Sequence, residues 1–435
     1  MDPSVTTAPP AGADPAARRP RGGLLRHRDF RLLWIGETTS KLGSAVTGIA
    51  VPLVAVQTLH ASTFAIAVLD AVAWLPWLLI GLPAGAWLDR LPRRPVMLLC
   101  DLAAVLLFVS VPVAAWSGWL TLSQLLIVAL LGGVVTVFFS TAYQAYLPSV
   151  VAKEDLTEGN AKLQGSEQVA TIAGPGLGGV IAQLFGAVTG LLADAASFVV
   201  SGVCLLAIRT KEARIARRDR DTSLLHEIGQ GLRFVAGDPF LRVLAVAAAI
   251  DNLTLSGAHA LLIVFLVRDV GVSAGLVGVL LGADAVGGVI GAVISTRIAR
   301  RIGTGRALLL GSLCTAPFGL LIPLTENGPR LAFFAAGMLI PSAGMVASNI
   351  VSNGFRQMYC PERLRGRVFT SSRFLAFGVI PIGAVLGGVV GTVLGVRPAL
   401  WVLLAAVALG KLIRLVGPIR HYRDLPTEPA VTSIR

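Results

Sequence analysis

Apolar residues in this chain gather in long runs rather than in single stripes at helical spacing. A bilayer crossing takes about 20 mostly apolar residues. Twelve runs qualify, at about residues 32–56, 63–88, 95–116, 121–143, 162–184, 187–208, 241–266, 272–296, 306–324, 331–352, 369–395 and 397–417. Helices satisfy their own backbone hydrogen bonds in lipid, so the pattern predicts an all-α polytopic membrane protein. The longest polar connection, 209–240, divides the runs six and six. It ends in a helical apolar pattern (Leu224, Leu225, Ile228, Leu232, Val235). That segment reads either as an amphipathic helix on the anionic inner leaflet or as a tether between halves. The expected organisation is a disordered tail over 1–27, a six-helix bundle over 28–208, the linker, a second bundle over 241–417 and a tail over 418–435. No signal-peptide pattern precedes the first run.

Internal repetition supports the two halves. Gln144-Ala-Tyr146-Leu-Pro148 at the end of span 4 recurs as Gln357-Met-Tyr359-Cys-Pro361 at the end of span 10. Gly174-Pro175-Gly-Leu-Gly178-Gly179 in span 5 has a looser echo in Pro381-Ile-Gly383-Ala-Val-Leu-Gly387-Gly388 of span 11. Two pseudo-symmetric six-helix bundles related in this way are the layout of a rocking transporter.

Composition then narrows the class. The 435 residues are 54% hydrophobic and 14% charged, against about 25% charged in soluble domains. A conventional soluble enzyme is excluded. The net charge of +13 raises the question of a nucleic-acid partner, but its distribution gives another answer. With both termini cytoplasmic, the external connections hold only Arg268, Arg330 and Arg397, and Lys41 lies within the first span. The remaining basic residues fall at the other end, as the positive-inside rule requires. The charge is a topology signal, and it places the chain in a cytoplasmic membrane as a multi-pass protein. Arg greatly outnumbers Lys, which with abundant Ala and Gly suggests a bacterial source. Cys100, Cys204, Cys314 and Cys360 have neither disulfide nor metal-site spacing.

Three sets of motifs carry mechanism. The link between spans 2 and 3 reads Gly85-Ala-Trp-Leu-Asp89-Arg90-Leu-Pro92-Arg93-Arg94. It resembles the signature loop of the major facilitator superfamily, with Pro92 where that pattern usually has Gly. Gly85 is expected to permit close helix contact. The resemblance implies that Asp89 sits near the N-terminal end of span 11, favoured by the helix dipole, and latches the inner side closed; Arg90, Arg93 and Arg94 also read as plain positive-inside anchors. The matching second-half link has Ser295 in the acidic position. Gly174, Pro175, Gly178 and Gly179 resemble the span 5 motif of facilitator antiporters, where Pro175 bends the helix. A kinked helix without bearing on transport direction is the alternative. Arg28-Asp29-Phe30-Arg31-Leu32-Leu33-Trp34, Ser40-Lys41-Leu42-Gly43, Ala145-Tyr146-Leu147-Pro148, Asp194-Ala-Ala-Ser197-Phe198 and Leu364-Arg365-Gly366-Arg367-Val368 resemble the macrolide-efflux-like drug:proton antiporters. The resemblance implies the major facilitator fold and proton-coupled efflux.

Ionisable groups at membrane depth cost about 2.5–3.5 kcal/mol on lenient scales and are functional candidates. Glu37 and Lys41 lie four apart in span 1 and can pair. Asp251 and Asp284 fall near the middle of spans 7 and 8, and Asp70 and Asp194 nearer the outer ends of spans 2 and 6. Asp101 and Glu167 lie nearer the inner boundary. In the superfamily spans 1, 4, 7 and 10 line the cavity, which ranks Glu37, Lys41 and Asp251 first as cavity-facing groups. Because Lys41 favours the charged form of Glu37, Asp251 or Asp284 is the expected proton carrier.

The reading is a secondary active exporter of a hydrophobic drug or secondary metabolite, working as a monomer with protons, lipid and a small molecule as partners. An importer or facilitator of a small metabolite on the same scaffold is the alternative. No histidine cluster, metal motif or nucleotide loop points to an enzyme, a metal, a cofactor or a primary pump, and no nucleic acid is expected.

Overall fold

A computed structural model describes residues 24–88, 91–210, 212, 224–361, 368, 371–372 and 374–426. The helices are α1 (Arg28–Leu53, with a π-helical end Val54–Thr58), α2 (Thr63–Leu79), α3 (Gly81–Leu88), α4 (Arg93–Trp116), α5 (Leu122–Val150), α6 (Leu156–Phe185) and α7 (Ala187–Ala207). A short helix α8 (Leu224–Gly237) precedes α9 (Pro239–Val270), α10 (Ala274–Ile302), α11 (Thr304–Leu324), α12 (Leu331–Tyr359), α13 (Phe374–Leu394) and α14 (Val396–Val416). Eleven of these are long and apolar enough to cross a membrane. The twelfth crossing is α2 with α3: Ile80 N–H donates to the Pro76 carbonyl at 2.9 Å and Ala84 N–H to Ile80 at 2.8 Å. The two helices therefore run on through a single turn at Ile80 and together span the expected 63–88.

The first half packs α1 on α6 and α7, and α4 on α5 and α7; the second packs α9 on α13 and α14, and α12 on α10 and α11. The halves meet where α6 lies on α10 and α2 lies on α13 and α9. Glycine placement explains both junctions, because lipid gives helices no hydrophobic reason to associate and close approach of small residues does. In α6, a Cβ at Gly178 would lie 3.1 Å from the Val46 carbonyl of α1, and one at Gly179 would lie 2.6 Å from the Ala274 carbonyl of α10. The echo in α13 repeats this register. Gly387 abuts Gly257 of α9, and a Cβ at Gly388 would lie 2.5 Å from Ala67 Cβ of α2. One glycine pair thus binds its helix within a half, and the next residue binds it across.

The Arg-rich connections mark one end of the molecule, here called the basic end. At the opposite end a single apolar cluster joins Ile49, Leu53, Ile66 and Leu191 of the first half to Val264 and Ala274 of the second. Arg268 Nη2 donates to the Ala61 carbonyl at 2.6 Å and Gly275 N–H to Gln183 Oε1 at 3.0 Å, both across the halves. At the basic end the clusters are separate: one around Phe30, Met97 and Tyr146 belongs to the first half, another around Phe240, Phe355 and Tyr359 to the second.

Two segments outside the long helices are packed on the second half. Phe234 and Val235 of α8 are buried in the second-half cluster with Phe240 and Leu244, so this part of α8 faces protein rather than a leaflet. The C-terminal segment is docked as far as Leu425. Ile419 is fully buried, Gly305 N–H donates to the Arg423 carbonyl at 2.9 Å, and Thr304 N–H to Asp424 Oδ1 at 2.9 Å.

Candidate substrate and proton site

The basic-end half of the first bundle contains a polar cavity of about 480 Å³ lined by residues of α1, α5 and α6, among them Glu37, Lys41, Tyr143, Gln144, Asn160 and Glu167. Helical spacing puts Glu37 and Lys41 on one face of α1. Lys41 Nζ is 3.8 Å from Glu37 Oε1 but 3.2 Å from Glu167 Oε1 of α6, so the nearer partner is one that local sequence does not suggest. Glu37 is buried, and its Oε2 has no hydrogen-bond partner. The Tyr143 hydroxyl is likewise unpaired. Trp34 Nε1 donates to Ser166 Oγ at 2.8 Å, fastening α1 to α6 beside the cavity. Two acids share one ammonium here, and the wall can exchange a proton or hold a polar group of a substrate.

The other candidates are distributed differently. Asp251 does not stand free: Lys411 Nζ lies 2.9 Å from its Oδ2, and Arg414 Nη2 donates to the same oxygen. All three groups are largely buried. Its carboxylate neutralises two buried cations, a pairing that the reading of Asp251 as a proton carrier did not include. Sequence reasoning missed this because Lys411 and Arg414 count as basic-end residues in a topology tally. Asp284 lines a cavity of about 80 Å³ in the second half with His259 and Lys411. Asp70 is within electrostatic range of His259, beside the junction where Ala67 and Ala71 meet Ala260 and Ala384. No group of three or more metal-ligating side chains occurs among the described residues.

Of the signature loop, Asp89 and Arg90 lie outside the described residues, as do Leu364 to Arg367. Among the described residues, a Cβ at Gly85 would meet nothing within 4 Å. Arg93 and Arg94 make defined contacts inside the first half. The Glu212 carboxylate accepts from Arg93 N–H at 3.0 Å and caps α4, while Arg94 Nε and Nη2 donate to the Leu205 and Leu206 carbonyls at 3.0 Å. An acid at a helix N-terminus and a guanidinium at a C-terminus both match the helix dipoles. Asp29 fixes the same exit segment, accepting from Thr210 N–H at 2.8 Å. In the antiporter-type motif, Gly178 meets α1 and Gly179 meets α10, and Pro175 presents its carbonyl to Gly278.

Comparison with known proteins agrees with this architecture. The multidrug efflux pump Tap of Mycolicibacterium fortuitum is 26% identical over 406 residues, covering 92% of this chain and 98% of that protein. The enterobactin exporter EntS of Escherichia coli O9:H4 (strain HS) is 25% identical over 421 residues, covering 94% and 96%. Among solved structures, a bacterial homologue of the iron transporter ferroportin in the inward-facing state superposes with a TM-score of 0.72 at 20% identity, over 91% of this chain and 99% of that one. The family described as transmembrane secretion effector matches residues 23–431. The chain is a multi-pass membrane transporter of small molecules, and it belongs to the transmembrane secretion effector family of the major facilitator superfamily.

Proposed function

We propose that this protein exports an amphiphilic small molecule from the bacterial cytoplasm in exchange for protons. The observation that carries the reading is the cavity in which Glu37 and Glu167 share Lys41. With the basic end cytoplasmic, as the positive-inside rule directs, that cavity lies on the side from which an exporter loads. The apolar cluster and the Arg268 contact at the opposite end fit a state closed to the outside. A proton arriving on Glu37 or Glu167 leaves Lys41 to the remaining acid, and its loss restores the pair; that exchange is the coupling step. The efflux pumps among the relatives, one named for multiple drugs and one for enterobactin, support export over uptake. Substrate chemistry within that range is set by the cavity wall, whose neutral polar groups (Tyr143, Gln144, Asn160) suit a polar or charged head.

The test is transport in inverted membrane vesicles loaded acid-inside, with ethidium and tetracycline as probes. Export predicts gradient-driven uptake of at least one of them, abolished by a protonophore and by Lys41→Met. Gradient-independent equilibration favours a facilitator instead.

A further inference from the structure

Behind the wall of the cavity lies a second set of acids that the exchange at Lys41 does not use. Along α1, Gly36, Ser40, Gly43 and Thr47 form one face; along α7, Asp194, Ser197 and Ser201 form the face opposite. The two helices are in close contact: a Cβ at Gly36 would lie 3.3 Å from Ser201 Cα, and one at Gly43 would overlap Ser197 Oγ. Asp101 of α4 closes the seam near Ser201 and Gly202.

The carboxyls in this seam are buried and incompletely partnered. Asp194 is fully buried; the Ser197 hydroxyl, donating to the Asp194 carbonyl at 2.7 Å, is 3.1 Å from Oδ1, and Oδ2 has no partner. Asp101 is 2% exposed; its carboxyl oxygens have no hydrogen-bond partner within 3.5 Å, and the hydroxyl that interacts with them is that of Ser201. Glu37, whose Oε2 is also unpartnered, lines one small gap with Gly36, Met97, Ser201 and Cys204, which places it between seam and cavity. The other titratable groups beside Asp101 are Glu37 on α1, Cys100 on its own helix and Cys204 on α7. Among the described residues no Lys, Arg or His pairs with Asp101 or Asp194. An unpaired carboxylate buried at membrane depth is costly, and the neutral acid far less so. Two such acids held in contact with small residues and hydroxyls are poor structural elements. They are good proton carriers.

We propose that Asp101 and Asp194 are proton-binding positions in a seam between α1, α4 and α7, set behind the substrate cavity and joined to it through Glu37. This deepens the proton-coupled reading above and rests on it. The step is proton transfer alone: the O–H of Asp101 breaks as one forms on Glu37, with the Ser201 hydroxyl as relay. Seven residues separate Asp194 from Ser201, about 10 Å along α7, so the seam is a chain of stations and a shift of α1 against α7 governs passage between them.

The test is infrared pH-difference spectroscopy of the full-length protein in lipid nanodiscs, followed by the vesicle assay. Asp101→Asn and Asp194→Asn should each remove a component of the carbonyl-stretch band of protonated carboxyls. Asp101→Glu should shift that component, which decides the matter if the Asn variant does not fold. In acid-inside vesicles Ser201→Ala should slow gradient-driven ethidium or tetracycline uptake several-fold. A carboxyl band unaltered in the folded aspartate variants overturns the inference. Wild-type vesicles that ignore the gradient count against proton coupling itself, and the infrared result is independent of that outcome.

Discussion

At the residue scale, the structure sorts the membrane-embedded charges by what each can pair with. Asp251 holds Lys411 and Arg414; removing one partner of such a set leaves an uncompensated buried charge. Asp251→Asn should therefore destabilise the protein by about 3–5 kcal/mol, measured as lost thermal stability in detergent, and Lys411→Met in the same chain should recover part of it. A stable Asp251→Asn protein that has lost only proton coupling would instead make Asp251 the carrier. Gly43 makes a separate point. Its Cβ-less contact with Ser197 and Asp194 joins two short stretches, Ser40-Lys41-Leu42-Gly43 and Asp194-Ala-Ala-Ser197-Phe198, that lie far apart in sequence. Gly43→Ala should cost about 1–3 kcal/mol by overpacking, read by the same unfolding assay; an unchanged midpoint would mean α1 and α7 have slack between them.

At the element scale, helix α6 serves two neighbours, with Gly178 on α1 and Gly179 on α10. Gly179→Leu should hold the halves apart at that junction, cutting transport of the vesicle probes about tenfold or more while the protein still inserts. Normal transport in that variant would show that α6 and α10 need not meet. Much of this scale was legible in the sequence. Hydrophobic run length found the eleven long apolar helices of the described residues and the shorter α2, because lipid leaves the chain few alternatives. The Gly174/Gly383 echo foretold a repeated packing register, because close helix approach demands small residues wherever it recurs. What periodicity could not convey was long-range partnership. Glu167 stands near the basic boundary of α6 and gives no local sign that it meets Lys41. Glu212 and Asp424 lie in polar exit segments, yet each caps the third span of its own half, at Arg93 and Thr304 respectively.

At the scale of the whole molecule, the halves share an apolar cluster at the opposite end and keep separate clusters at the basic end. Alternating access requires that the shared contacts break as the halves rock. Arg268 to Ala61 is a polar tie between the halves at that end, beside the one from Gly275 to Gln183. Arg268→Ala should thus weaken closure at that end, seen as faster reaction of a cysteine placed at Ser62 with an impermeant reagent; equal reactivity would assign Arg268 a local role. The central claim is that a proton gradient drives this chain to expel its substrate, with Glu37, Lys41 and Glu167 as the exchanging set. The most direct measurement is uptake of ethidium and tetracycline into inverted vesicles as the internal pH is lowered. The account predicts uphill accumulation that rises with the acid-inside gradient and disappears in Lys41→Met. Accumulation that is indifferent to the gradient, or undiminished in that variant, would contradict it.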